Sequence, residues 1–430
     1  MITQEMDPPT LGEGVFASPL SALRAGAATA SFVSAEERVL AGAAFDKRSS
    51  QPLRSFERAG PRARLFFDPA RTRAAVVTCG GICPGINSAV RGLLLELHHV
   101  YGVRDVLGVR YGFEGLVAGA AHDPVTLTPE RVRSIHRLGG SVLGTSRGAQ
   151  PPAAIADTLE RRKIDVLFTI GGEGTLRAAG SIASEITRRG LPIGVVAVPK
   201  TIDNDIAIID KSFGFDTAVE HARRAIDAAH TEATGARNGV CIVKLMGRDA
   251  GFVAAAATLA STEANFCLLP EFPFSLTRLL EAVAERLARR GHAVIVVAEG
   301  CGATLAGADA ERDASGNLRY SSDALDVGPR LRDAVITHLH ARGMAFTVKY
   351  IDPSYTIRSA PPSSSDDIYC GELARNAVHA AMAGRTGTLV GRVHGVYAHV
   401  PIPLAISQVR RVDDQLFRTV CELTGQPTLQ

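Results

Sequence analysis

The chain has no run of Lys or Arg resembling a polybasic tail or a nucleic-acid stripe, and its formal charge of +3 is spread along the sequence. Nucleic acid is therefore not an expected partner. No apolar run approaches the roughly 18 residues that span a bilayer, and the first residues lack a basic start followed by an apolar block. The expectation is a soluble cytoplasmic protein without a membrane segment. Repeated CxxC spacing is absent. The seven cysteines, at 79, 83, 241, 267, 301, 370 and 421, are odd in number and scattered, so reduced thiols are the simplest state. Glycines and a proline around Cys79 and Cys83 argue for a tight turn rather than half of a zinc site. Lysine is scarce, six of the 47 basic side chains against 41 arginines. Lys200, Lys211, Lys244 and Lys349 nevertheless all fall in the glycine-rich and charged segments described below. No Gly-Lys dipeptide occurs, which excludes a Walker-type NTPase. No Gly-x-Gly-x-x-Gly with a ribose-binding acid follows the first strand, which counts against a dinucleotide dehydrogenase.

What is present suits two α/β domains. At 430 residues and 46% hydrophobic content the chain is too long for one ordinary core. Residues 1–70 carry Pro, Gly, Ser and Arg without sustained periodicity, apart from a helix expected near Ser34 to Phe45 that opens with a Ser-x-x-Glu capping pattern. From Arg73 onward, short β-branched runs alternate with helical stretches. Strands are expected at Ala74 to Thr78, Val103 to Arg110, Val166 to Ile170, Ile193 to Val198, Gly239 to Leu245, Ala293 to Ala298 and Phe346 to Tyr350. Helices are expected at Asn87 to Val100, Thr175 to Arg189, Thr217 to Thr231, Leu276 to Arg290 and Gly328 to Arg342. Such alternation means βαβ units and parallel sheets. Gly302 to Ser322 reads as an exposed loop. In parallel sheets ligands collect beyond the carboxyl ends of the strands, and most of the unusual residues lie there.

Three segments carry the chemistry. After Thr78 comes Cys79-Gly80-Gly81-Ile82-Cys83-Pro84-Gly85-Ile86-Asn87, where adjacent glycines let backbone N–H groups approach a phosphate at a helix N-terminus. A plain strand-to-helix turn would use glycine equally well. Ile170-Gly171-Gly172-Glu173-Gly174-Thr175 also joins a strand to a helix. Its carboxylate can reach a magnesium ion held against a polyphosphate, or simply sit on the helix dipole. Gly-Gly-Asp-Gly-Thr, one methylene shorter, is shared by lipid, NAD and sugar-phosphate kinases. Pro199-Lys200-Thr201-Ile202-Asp203-Asn204-Asp205 places two carboxylates beside a lysine at a third strand end. One carboxylate can accept a hydroxyl proton while the other orients nearby groups.

From about Arg73 to beyond Cys370 the sequence resembles the phosphofructokinase family. Besides these segments, the resemblance is carried by Arg110 to Leu116, Gly139 to Arg147, Met246-Gly247-Arg248, Ala298-Glu299-Gly300 and Tyr350 to Arg358. It implies two Rossmann-like parallel-sheet domains with the active site in the cleft between them. Residues 1–70 would be an N-terminal extension, 71–213 a phosphoryl-donor-binding domain, 214–358 a fructose 6-phosphate-binding domain, and 359–430 segments completing both. By resemblance, Asp203 is the proton acceptor, with Thr201 and Asp205 beside it. Gly81, Arg147, Gly172, Glu173, Gly174 and Thr175 form the donor site, with Glu173 in the Mg2+ position. Arg248 neutralises the transferring phosphoryl group while Met246 and Gly247 flank the sugar. Glu299 hydrogen-bonds a sugar hydroxyl, and Tyr355 and Arg358 grip the 6-phosphate, with Lys349 as a third contact.

The resemblance implies a cytoplasmic, glycolytic and allosteric homodimer or homotetramer. Its substrates would be fructose 6-phosphate and ATP, with pyrophosphate as the alternative donor and a catalytically silent regulatory homologue as a further alternative. Three departures stand out. Glu173 replaces the usual aspartate, moving the carboxylate by about 1.5 Å. Ile82 stands where short bacterial enzymes are acidic. Asn238 and Gly239 stand where those enzymes carry an arginine that crosses a subunit interface. The combination resembles the longer branch, which holds pyrophosphate-dependent enzymes and plant-like and actinobacterial ATP-dependent ones. Gly174 leaves room for the α-phosphate and nucleoside where pyrophosphate-dependent enzymes carry aspartate, while Lys200 accompanies pyrophosphate use in many relatives but is permissive. ATP is the expected donor.

Overall fold

The computed structural model describes residues 3–23, 32–44, 52–117, 119, 121–148, 150–302, 311–312, 318–319 and 326–430. It divides into two compact units. Unit 1 comprises residues 1–201, 206–214 and 360–408; unit 2 comprises 202–205, 215–359 and 409–430. The fold class is α/β, with a sheet built around parallel strands in unit 1 and a parallel sheet in unit 2, as the alternation of β-branched and helical stretches requires.

In unit 1 the central strands lie in the order Thr388–Val393, Gly194–Pro199, Val166–Gly171, Arg73–Thr78, Asp105–Val109, all parallel. Both faces are covered by helices, so the strands are buried almost end to end and read as continuous apolar runs rather than alternating ones. Beyond Thr388–Val393 the sheet continues outward: Val396–Pro401 joins antiparallel, followed by Leu53–Arg58, with Thr3–Glu5 and Arg38–Leu40 pairing on Leu53–Arg58. Residues 3–58 thus contribute strands to the main sheet of unit 1.

The helix expected near Ser34 to Phe45 is not formed; Arg38–Leu40 is a strand. The capping pattern itself is present, since Ser34 N–H donates to Glu37 Oε1 at 2.9 Å and Glu36 N–H to Ser34 Oγ at 3.2 Å. It closes a turn instead of opening a helix, because the residues that follow pair with Leu53–Arg58. Phe45 lies outside the described residues.

Unit 2 carries a four-stranded parallel sheet in the order Phe266–Leu268, His292–Ala298, Gly239–Leu245, Thr347–Ile351. Helices Phe215–Gly235, Phe252–Ser261, Leu276–Arg290 and Val327–Ala341 belong to the same unit. Helix Phe252–Ser261, half of it Ala, is buried on most sides and so lacks the polar face that would mark an amphipathic helix. Within the stretch Gly302 to Ser322, the described pairs Glu311–Arg312 and Leu318–Arg319 form a short antiparallel ladder. Residues 303–310, 313–317 and 320–322 lie outside the described residues. All seven cysteines are free thiols, six of them buried. Among the described residues no helix is long and apolar enough to cross a membrane.

Candidate active site

In unit 1 strand register brings together the first two glycine segments and the Pro199-Lys200-Thr201 start of the third. Thr78 is opposite Ile170, and Ile170 is opposite Val198. Their continuations therefore leave one sheet edge side by side, neighbouring strands being about 4.8 Å apart. Main-chain bonds lock the exits: Cys79 N–H donates to Ile170 O at 2.9 Å, Lys200 N–H to Gly171 O at 3.0 Å, and Gly80 N–H to Ser146 O at 3.0 Å. The last contact sets the exposed Arg147 one residue from the Gly80-Gly81 turn. The backbone packs too closely there for larger residues. A Cβ on Gly171 would lie 2.1 Å from Thr175 Oγ1, and one on Gly172 would lie 3.2 Å from Lys200 O.

Helix Glu173–Arg188 starts at Gly172 with no side-chain cap, so the N–H groups of its first turn, at Glu173, Gly174 and Thr175, have no intrahelical acceptor. Together with the helix dipole they make an anion cradle. Lys200, 5% exposed, donates from Nζ to Gly81 O at 2.5 Å. Its ammonium is therefore bonded to the glycine turn beside the cradle. The Glu173 carboxylate forms an i,i+4 ion pair with Arg177 on the helix surface, including a 3.1 Å bond from Arg177 Nε. The i,i+4 spacing of Glu173 and Arg177 is itself visible in the sequence.

The fit to magnesium can be judged from this donor set. Among the described residues no group of three or more His, Cys, Asp or Glu could hold a metal by itself. A magnesium ion on a polyphosphate needs only one or two carboxylates, the phosphates and water supplying the rest. Glu173 offers one hard oxygen donor beside the cradle, and its ion pair with Arg177 is a solvent-exposed one that contributes little and exchanges readily. The residues fit such an ion.

Unit 2 assembles a second group of charges. Glu299 N–H donates to Leu245 O at 2.9 Å and Gly300 N–H to Gly247 O at 3.0 Å, so the loop holding Met246, Gly247 and Arg248 is bound to the segment holding Glu299. Gly247 has φ of +123°, and a Cβ there would meet Ala250 O at 2.6 Å; a Cβ on Gly300 would meet Arg248 O at 2.0 Å. Only glycine fits both places. Burial pushes the Asp203 carboxyl up, and the neighbouring Asp205 adds to that, while Arg358 and Arg248 pull it down without cancelling the rise. Glu299 is likewise raised, by burial first and then by Asp203, with Arg358 and Arg248 opposing. Asp203, Asp205, Glu299, Arg248 and Arg358 thus share one electrostatic neighbourhood. Asn204, between the two aspartates, has a left-handed φ of 56°. This conformation, costly for most residues but less so for Asn, sharpens the turn that carries them.

Tyr355 and Arg358 lie on the short helix Ser354–Arg358, with Tyr355 86% exposed. Lys349 is not brought to this group. It lies opposite Cys241, four residues before the strand end at Leu245 and so roughly 13 Å back along the sheet, and its ammonium is paired with Glu232. Lys244 is bonded to Asp326 at 3.1 Å and Asp352 at 2.9 Å. Thr201 ends a segment of unit 1, where its carbonyl accepts a 2.6 Å bond from Ser212 Oγ. At the departure from the short bacterial pattern, Asn238 is left-handed with φ of 49° and donates from Nδ2 to Ala345 O at 2.8 Å, while a Cβ on Gly239 would meet Ala233 O at 2.2 Å. That place is taken up by turn geometry.

Comparison with known proteins gives the same picture. The family model described as Phosphofructokinase matches residues 73–381. The ATP-dependent 6-phosphofructokinase of Borreliella burgdorferi is 44% identical over 385 residues, covering 86% of this chain and 85% of that one. The ATP-dependent 6-phosphofructokinase of Amycolatopsis methanolica is 48% identical over 385 residues, covering 87% and 83%. Among solved structures, the pyrophosphate-dependent phosphofructokinase of Marinobacter aquaeolei aligns with a TM-score of 0.68 over 80% of this chain and 86% of that one, at 21% identity. At that identity the likeness concerns the fold.

Proposed function

The chain belongs to the phosphofructokinase family, and we propose that it transfers the γ-phosphoryl group of ATP to the 1-hydroxyl of D-fructose 6-phosphate, giving fructose 1,6-bisphosphate and ADP. The observation that carries this reading is the Asp203 carboxyl, raised by burial and Asp205 yet flanked by Arg248 and Arg358. A carboxylate whose pKa approaches the working pH is a better proton acceptor than an ordinary one. The hydroxyl oxygen bonds to the γ-phosphorus as the bond to the β,γ-bridging oxygen breaks. The hydroxyl proton passes to Asp203, and the electron pair leaves on ADP.

The remaining residues position and neutralise. The open N–H groups at Glu173, Gly174 and Thr175, with Gly81 and Arg147, bind the donor's phosphates. Glu173 would hold a magnesium ion on those phosphates, which would supply positive charge against them. Arg248 meets the charge on the transferring group, with Met246 and Gly247 beside the sugar. Glu299 accepts from a sugar hydroxyl, Arg358 and Tyr355 bind the 6-phosphate, and Thr201 and Asp205 orient the reacting end. Lys349, opposite Cys241 and so four residues short of the Leu245 strand end, is left out of the phosphate grip.

ATP is favoured as donor by Gly174 and by the names of the similar relatives. Lys200, bonded to Gly81 O beside the cradle, can serve either donor and is permissive rather than decisive. The test is a coupled assay of initial rates with fructose 6-phosphate and each donor in turn. Faster turnover with ATP is the expected result. Faster turnover with pyrophosphate would replace the donor, and no turnover with either would remove the activity.

A further inference from the structure

Glu271, three residues beyond strand Phe266–Leu268, joins two parts of unit 2 that carry different functional groups. Its Oε1 accepts from Gly251 N–H at 2.9 Å and from Val412 N–H at 2.9 Å. Gly251 is the N-cap of helix Phe252–Ser261 and follows Arg248 by three residues. Val412 follows Arg410 by two, and Arg410 N–H donates to Asp205 O at 2.8 Å. The guanidinium of Arg410 also lies over the Phe252 ring, 4.8 Å from its centroid. One carboxylate oxygen therefore stands one link from the loop of Arg248 and two links from the segment of Asp203 and Asp205.

The other oxygen, Oε2, is buried and makes no hydrogen bond among the described residues. An apolar residue at this place would leave the Gly251 and Val412 N–H groups without their shared acceptor. The two bonds converging on Oε1 set a spacing between main-chain segments. A misplacement of about 1 Å at a distance from the chemistry can cost roughly 10²-fold in rate.

We infer that Glu271 is a positioning residue for phosphoryl transfer, holding the Arg248 loop and the Asp203–Asp205 segment in register through residues 409–412. This rests on the roles given to Asp203 and Arg248 above. Replacing Glu271 by Ala removes the shared acceptor, whereas Glu271→Gln keeps an oxygen for both N–H groups.

The experiment compares wild type, E271A and E271Q by steady-state kinetics, by the pH profile of kcat/KM, and by peptide-level hydrogen exchange over residues 202–206 and 246–252. In E271A, kcat should fall on the order of 10- to 10²-fold while both KM values stay within about threefold. Its acid limb should move, because the arginine and aspartate charges around Asp203 are displaced, and exchange over both peptides should quicken. E271Q should retain kcat within about threefold and leave the limb and both peptides unchanged. If E271A does not fold, Glu271→Asp, which withdraws the oxygen by about 1.5 Å, should show the same pattern in smaller measure. Unchanged exchange over residues 202–206 in E271A, or equal losses in E271A and E271Q, would overturn the inference. A wild type that fails to phosphorylate fructose 6-phosphate would overturn the functional reading instead, and the exchange data would still decide the role of Glu271 as a brace.

Discussion

Gly174→Asp separates donor selection from folding within a single substitution. Gly174 is the second residue of helix Glu173–Arg188, in a first turn with no side-chain cap. A carboxylate there is favourable to the helix, contributing about 0.3–1 kcal/mol through the macrodipole, and aspartate also replaces the poorer helix former glycine. The folded state should be kept or slightly stabilised. For the donor the sign is opposite. A unit negative charge about 5 Å from a phosphate charge, at an effective dielectric of about 20, is unfavourable by about 3 kcal/mol, or on the order of 10²-fold. The expected result is a loss of kcat/KM for ATP of that order, with the thermal midpoint unchanged or raised. Pyrophosphate, which brings no α-phosphate or nucleoside, should lose much less, so its share of the remaining activity should rise. The assay is a coupled measurement with each donor beside a thermal melt of the same preparation. Retention of ATP-dependent kcat/KM within threefold would refute Gly174 as the selector, and a large fall in the melting point would show that the loss came from the fold.

Asp203→Asn should lower kcat by about 10²-fold or more with little change in KM, and the variant should be at least as stable as wild type. The native environment disfavours the ionised carboxyl, so its charge costs stability that grows as pH rises through the raised folded pKa, and the amide removes that cost. For the same reason the acid limb of kcat/KM in the wild type should lie above the ordinary carboxylate range; a limb at an ordinary carboxylate pKa would contradict the environment assigned to Asp203. Arg358→Ala should chiefly raise KM for fructose 6-phosphate, since a contact to a non-reacting phosphate contributes throughout the reaction, and an unchanged KM would move the 6-phosphate contact elsewhere. Glu57→Ala should destabilise unit 1 by about 3–5 kcal/mol in urea unfolding. Burial would raise this carboxyl, but bonds from Arg385 at 2.6 Å and His399 at 2.8 Å hold it well below the usual range. The variant would leave Arg385 and the neighbouring Arg62 with no carboxylate at that point, and a loss under about 1 kcal/mol would show that the cluster is not a unit.

The parallel strands were legible because both sheets are covered by helices and their strands are short unbroken β-branched runs. The glycine and acid segments were legible because the chemistry at strand ends imposes residue types that core packing does not. Local sequence failed where the partner is remote. Leu53–Arg58 pairs with Val396–Pro401, more than 300 residues away, and nothing near residue 53 announces that strand. Arg38–Leu40 shows how the same capping residues serve a turn or a helix depending on whether the next residues find a sheet. Lys349 was placed by its position along the chain, whereas strand register sets it well back from the carboxyl edge. Glu271 has no motif at all; its part in the site comes from two main-chain N–H groups, Gly251 and Val412, that sequence separates by more than 150 residues.

The most direct test of the central claim is the pair of initial rates for the wild-type protein with fructose 6-phosphate and magnesium, one with ATP and one with pyrophosphate at equal concentrations. A higher rate with ATP, yielding fructose 1,6-bisphosphate and ADP, is the result predicted from Asp203, Arg248 and Gly174. A higher rate with pyrophosphate, or no bisphosphate from either donor, would contradict it.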